Sequence, residues 1–312
     1  MVAVIHHVFA NRSNVGDLLS ARGIQQLLGD QPVEHLCDDP FVEETGARLQ
    51  ALGPEDVVVV GGGGLVMDYF AELWRGLDDA RFRARLILWG IGACDLRYES
   101  SRPPLDLVRR VARRAELCVP RDELTRELLD CATPPVTCPS VVSMPRPTGP
   151  GNGLLHVVNY TTVGAEAYGV MRAAGRQYAS TSGEPYVETD NRIASPDLLA
   201  AAVQGYHAAG LVLSSALHGC ILAVACGIPV LAVSGDHKID QFMTAAGLAD
   251  WVLDSSDVGD LASRLRELPR QPGVPEFVEA AIQANRAVAE DVLGLLGGTG
   301  RGETGVLTAV DP

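Results

Sequence analysis

Chemistry in this chain can come from a few short segments. Ser214-Ser215-Ala216-Leu217-His218-Gly219 sets two hydroxyls and an imidazole beside a glycine. A histidine near a helix start can donate a hydrogen bond to a phosphate or act as a general acid; the same pattern can also be a capping serine and a buried, satisfied histidine. In Asp236-His237-Lys238 the lysine is either a point-charge partner for an anion or part of a solvated loop. Arg121-Asp122 offers a guanidinium fork suited to a carboxylate or phosphate, or a plain ion pair. In Asn14-Val15-Gly16-Asp17, the aspartate can cap the following helix or serve as a carboxylate base on a hydroxyl. Gly61-Gly62-Gly63-Gly64 lets backbone N–H groups approach a ligand, or makes a tight strand-to-helix turn. It is not a P-loop, because no Gly-Lys-Ser/Thr follows, and it departs from G-x-G-x-x-G because position 66 is Val66.

Other chemistries find no support. The seven histidines form no HExxH, and the seven cysteines form no CxxC pair or zinc-ligand spacing, so no metal site is expected. Most cysteines sit in apolar runs and read as small hydrophobes. His6 and His7 end the first strand, and one of them is expected to face the cleft. The net charge of −14 repels a phosphate backbone and an anionic membrane surface, which excludes generic nucleic-acid binding. Met1–Ala10 has no basic leader, and the longest uncharged apolar stretch, Gly219–Val233, is shorter than a membrane span and contains Pro229. A cytoplasmic protein without an integral membrane segment is expected. No feature fixes an oligomeric state.

The elements that must position these residues alternate. Val2–Phe9 reads as a strand and Leu18–Leu28 as a helix; Asp56–Val60 is a strand buried on both faces that ends in the glycines. Leu86–Gly92 repeats that grammar as a buried strand breaking into glycine, followed by a helix over Leu105–Ala115, a strand at Leu117–Val119 and a helix over Glu123–Leu129. Prolines and glycines crowd Pro134–Gly153, which reads as a linker. Beyond it come a strand at Leu154–Val158, a helix over Tyr168–Tyr178 and a helix from Pro196 capped by Ser195. Strands at Leu211–Leu213 and Pro229–Val233 then alternate with helices over Cys220–Cys226 and Ile239–Ala246. The expected fold is α/β, with two Rossmann-like domains whose parallel sheets face a cleft. At 312 residues the chain divides into 1–147 (acceptor side), 148–275 (donor side), a C-terminal helix over 276–297 packing back on the first domain, and a flexible tail over 298–312. Ligands in such sheets bind beyond the carboxyl ends of strands, where the chemical segments fall.

The ordered set Asn14–Asp17, Asp56–Leu65, Val119–Asp122 and Ser214–Lys238 resembles the polysaccharide pyruvyl transferase family. The last segment is the most specific: Ser215-x-Leu217-His218-Gly219, a small apolar helix, Gly227-Ile228-Pro229, a strand, Lys238, then Phe242–Leu248. The resemblance spans about positions 11–250. It implies a GT-B-like fold and transfer of an enolpyruvyl unit from phosphoenolpyruvate to two hydroxyls of one sugar, giving a ketal and phosphate, with no further cofactor. By position, Arg121, Ser215, His218, Gly219 and Lys238 would bind the donor. His218 would be the acid or phosphate donor, Asp17 a base, and Asn14, Gly16, Gly62, Gly63 and Gly64 would line the acceptor side. Many members carry an arginine where this chain has Ala216. A nucleotide-sugar glycosyltransferase and a non-catalytic binding protein share the same fold. Aromatic residues are only 5%, which leaves no stacking platform for a long glycan and favours a small sugar-containing acceptor.

Overall fold

In a computed structural model of the chain, the described residues are 4–36, 43–94, 97 and 103–297. The first half runs β1 (Ile5–Val8), α1 (Val15–Leu28), β2 (Val33–His35), α2 (Glu43–Ala51), β3 (Val57–Val66), α3 (Ala71–Asp78), β4 (Arg85–Ala93), α4 (Leu105–Arg114), β5 (Leu117–Pro120), α5 (Glu123–Leu129) and α6 (Ser140–Ser143). The second runs β6 (Leu154–Val157), α7 (Tyr160–Ser182), β7 (Tyr186–Thr189), α8 (Leu199–Ala208), β8 (Leu211–Ser214), α9 (Leu217–Cys226), β9 (Val230–Ser234), α10 (His237–Ala245), β10 (Val252–Asp254), α11 (Leu261–Glu267) and α12 (Pro275–Gly297).

Each half forms a five-stranded sheet on one plan, β2-β1-β3-β4-β5 and β7-β6-β8-β9-β10, with every pairing parallel. The valines of β3 explain why the first sheet is covered on both sides. Val57 and Val59 pack with Ile24 and Leu28 of α1 and Val288 and Val292 of α12. Val58 and Val60 pack with Leu73 and Trp74 of α3 and Val108 of α4. A strand with helices on both faces needs an apolar side chain at every position, and β-branched residues fill that role best.

Several elements differ from the sequence expectation. The glycine run does not end its strand: β3 continues to Val66, with a register shift between Gly63 and Val66. Gly62 and Gly63 adopt φ of +93° and +117°, so the run bends the strand while its pairing to β4 persists. Only a 3-10 turn follows at Asp68–Phe70, so no α-helix begins directly on the glycines. In the second half, α9 and α10 start earlier than expected, which puts His218 and Lys238 in first helical turns. Helix α7 is longer than expected and kinks at Gly164, where φ is +68°. Ser195 does cap its segment, accepting from Asp197 N, but Pro196–Leu198 is a 3-10 turn ahead of α8.

The first part of the expected linker is packed into the core. Cys138, Val141 and Met144 are buried with residues of both halves, among them Leu18 of α1, Leu155 of β6 and Ile221 of α9, and only the part after Met144 crosses as an irregular segment. Backbone bonds also tie the halves: Val15 N donates to Asn191 O at 2.9 Å and Ile193 N to Ser13 O at 2.9 Å. Arg97 bridges to Asp240 at 2.6 Å and Asp254 at 2.9 Å. Helix α12 returns to the first sheet, where Trp89 Nε1 donates to Asn285 Oδ1 at 3.0 Å. Cys37 and residues 298–312 lie outside the described residues.

Neither histidine of β1 faces the cleft. His6 lies beside Glu34 and Asp56, whereas His7 is fully buried, its Nε2 donating to Gly61 O at 3.0 Å. In the second sheet His156, also fully buried, contacts the Tyr186 hydroxyl at 2.7 Å. Burial lowers both imidazoles from the usual 6.5 to about 4. The unfolded chain therefore binds protons that the folded chain does not between pH 6.5 and 4, and stability falls as pH drops through that window. Each residue contributes up to about 3 kcal/mol to this loss. Thermal midpoints should fall from pH 7 to pH 5, and His156→Gln should flatten that slope; an unchanged slope in the variant would contradict the assignment.

Candidate active site

In each sheet the chain turns one way and then the other from the first strand, creating a switch point between β1 and β3 and between β6 and β8. Asp17 sits in the first turn of α1, which follows β1, and His218 in the first turn of α9, which follows β8. Asn14 is the cap of α1: its Oδ1 accepts from Gly16 N at 3.0 Å and Asp17 N at 3.2 Å. That leaves the Asp17 carboxylate available to the cleft. There its Oδ1 lies 3.6 Å from His218 Nδ1. Gly16 permits this meeting, because a Cβ at that position would overlap the His218 ring. A Cβ on Gly63 would likewise stand 2.6 Å from Asp17 Oδ1.

Water is largely excluded from the pair, whose side chains are 12% and 13% exposed. Burial raises Asp17 from 3.8 to about 6, the effect being opposed by His218, Arg121 and Lys238. Burial lowers His218 from 6.5 to about 4, with Arg121 and Lys238 adding to the shift and Asp17 opposing it. At neutral pH the pair is a carboxylate beside a neutral imidazole.

The two cations come from opposite halves. Arg121 follows β5, its N donating to Ile91 O at 2.8 Å and its guanidinium reaching Ala93 O at 3.4 Å and Asp122 at 3.3 Å. Gly92 makes room for it, since a Cβ there would overlap the guanidinium. Asp122 also caps α5, accepting from Thr125 N at 2.8 Å. Lys238 Nζ is 2.8 Å from Asp236 Oδ2, and Asp236 in turn caps α10. Both cations and Cys138 line one cavity of about 280 Å³, whose apolar walls include Leu217, Ile221, Phe242 and Phe277. Each cation is thus held in place by a neighbouring carboxylate, and the two converge within an acidic protein.

Other sequence candidates serve the frame. Ser215 is fully buried and its Oγ accepts from Asn159 N at 2.9 Å, tying the end of β8 to that of β6. Gly219 lets α9 approach the sheet, for a Cβ there would overlap Ser214 Oγ. Gly64 would overlap Cys94 Sγ if it carried a Cβ, and Gly62 packs on Phe9. Ala216 is the cap position of α9, with its side chain against the core shared by both halves. Sequence reasoning missed Gly92, Cys138 and the apolar walls. Gly92 was legible as a strand-end glycine but not as the seat of Arg121; Cys138, inside a proline-rich stretch, gave no signal.

Two facing parallel sheets of one topology, with a charged cleft between their carboxyl ends, define a GT-B-like α/β protein. The chain belongs to the polysaccharide pyruvyl transferase family, whose model matches residues 14–237. No curated protein matches by sequence. Among solved structures, a Listeria monocytogenes protein described as a UDP-N-acetylglucosamine 2-epimerase aligns with TM-score 0.56 and 12% identity over 95% of each chain. A Klebsiella pneumoniae protein of uncharacterised function aligns with TM-score 0.51 and 12% identity, covering 81% of this chain and 92% of that one. These likenesses establish the fold. Among the described residues no group of histidine, cysteine and acidic side chains could hold a metal ion, and no helix is long and apolar enough to cross a membrane.

The Gly92 seat yields a test. Gly92→Ala should push the guanidinium from its place and weaken anion binding about tenfold or more, consistent with about 2 kcal/mol for a misplaced charge partner, while the fold persists. The thermal shift produced by inorganic phosphate measures this; an unchanged shift would show that Arg121 holds no anion.

Proposed function

We propose that the protein transfers the enolpyruvyl unit of phosphoenolpyruvate to two hydroxyls of a sugar-containing acceptor, forming a ketal and releasing phosphate. The observation that carries this reading is the convergence of Arg121 and Lys238 on one cavity beside the Asp17–His218 pair. Phosphoenolpyruvate is a compact trianion with two anionic ends, which a guanidinium fork and an ammonium suit. The reaction takes a proton from a hydroxyl and gives one to the methylene carbon. Asp17, ionised above about pH 6, is the base, and His218 moves the proton. A bound trianion raises the proton affinity of the imidazole, opposing the desolvation that keeps it neutral in the free protein. Arg121 and Lys238 stabilise the charge that collects on phosphate as the carbon–oxygen bond to it breaks.

Incubation with phosphoenolpyruvate and a pool of nucleotide-linked, lipid-linked and free sugars, followed by mass spectrometry, should reveal a pyruvyl adduct and released phosphate. An adduct from a nucleotide-sugar donor instead would support a glycosyltransferase. His218→Ala should lose phosphate release by about 10²-fold or more with its melting temperature retained; full activity would sink the role given to this residue. kcat/KM should rise with pH through about 6 as Asp17 ionises. Asp17→Asn should abolish that limb along with most of the activity, and a wild-type profile flat from pH 5 to 7 would exclude Asp17 as the base.

A further inference from the structure

Two thiols meet on the β5–α5 unit, outside the walls of the cavity. Cys118 lies in β5, the edge strand of the first sheet, where it pairs with Leu88 of β4. Cys131 follows α5 and is held by the end of that helix, its N donating to Arg126 O at 3.0 Å just after Asp130 takes a left-handed φ of +56°. These two fixed backbones bring Cys118 Sγ to 3.2 Å from Cys131 Sγ. No third histidine, cysteine or acidic side chain joins them to make a metal site among the described residues. Cys118 is partly exposed at the sheet edge, so the pair is not sealed in the core as Cys138 and Cys220 are, both of which are fully buried. The hydrogen bond from Cys118 lowers the pKa of Cys131 below the usual thiol value, with Arg126 adding to the effect and burial and Asp130 opposing it. Cys131 is therefore the thiol that ionises first, and Cys118 is the partner already in contact with it.

We propose that Cys118 and Cys131 are an oxidation site, a dithiol that a hydroperoxide converts to a disulfide stapling β5 to the end of α5. The Cys131 thiolate attacks one peroxide oxygen. An S–O bond forms, the O–O bond breaks, and the leaving oxygen takes up the proton that the thiol released. The Cys118 sulfur then attacks the sulfenic acid: the S–S bond forms, the S–O bond breaks, and the hydroxyl leaves as water with the proton of Cys118. Two thiols and one hydroperoxide thus become one disulfide, one alcohol (water, where the oxidant is hydrogen peroxide) and one water. The sulfurs need to close by only about 1 Å to reach bonding distance. A resolving thiol in contact traps the sulfenic acid before a second peroxide carries it further up the oxidation ladder. The loop so closed contains Arg121 and Asp122, so the staple ties down the segment that brings one of the two cations to the cavity. The oxidation does not depend on what that cavity binds.

The test treats the full chain with hydrogen peroxide, blocks the remaining thiols with iodoacetamide and maps tryptic peptides without reduction. A peptide pair joined through Cys118 and Cys131 should be the main cysteine product, and dithiothreitol should reverse it. Fragment ions separate Cys131 from Cys138, which share one tryptic peptide. Oxidised wild type should melt about 5 °C or more above the reduced protein, the scale expected for closing a loop of this length. Cys118→Ser and Cys131→Ser, treated in the same way, should show no such rise; one folded variant suffices for that comparison, and the peptide map of wild type needs none. Sulfinic or sulfonic acid at either position in place of the bond, a bond from either to another cysteine, or equal melting of oxidised and reduced wild type would overturn the proposal.

Discussion

The site depends on one close approach, that of the first turn of α1 to the first turn of α9. Gly16 presents no side chain to the imidazole of His218, so the two helix starts come within contact across the cleft. Any larger residue would separate Asp17 from His218, and with it the two halves. The approach also excludes water, and the exclusion raises the proton affinity of the carboxylate and lowers that of the imidazole. Shape and electrostatics here have the same origin.

The second constraint is charge. A protein of net charge −14 that takes the anionic donor proposed for it would meet that anion with two largely buried cations rather than a basic surface. Arg121 and Lys238 each lean on an aspartate that also caps a helix, so the same carboxylates that start α5 and α10 orient the two cations. Removing a partner from such a buried pair leaves a charge unpaired, which is costly.

Glycine is used here chiefly for proximity. Gly16 admits His218, Gly92 admits Arg121, and Gly63 admits the Asp17 carboxylate. The run at Gly61–Gly64 invited comparison with phosphate-binding loops, yet its strand continues and no α-helix starts on it. Its positive φ values bend β3 next to Asp17. The glycines shape the site by what they do not fill, a role that sequence patterns alone do not separate from ligand contact.

Strand and helix alternation, the apolar run of β3, the pairing of Ser195 with a helix start and the segments bearing Asp17, Arg121, His218 and Lys238 were all legible in the sequence, because local propensity and burial pattern write themselves into neighbouring residues. The short β2 and β10 were not, since three residues carry too little periodicity. Nor was the fate of Pro134–Gly153: proline and glycine mark irregular backbone, but whether such a segment is exposed or buried depends on what packs against it. Only the tertiary structure decided that Ser215 ties two strands together and that Cys138 meets His218. Those outcomes rest on contacts between residues far apart in the chain, such as the 3.6 Å approach of Cys138 to His218, and no local pattern encodes a distance of that kind.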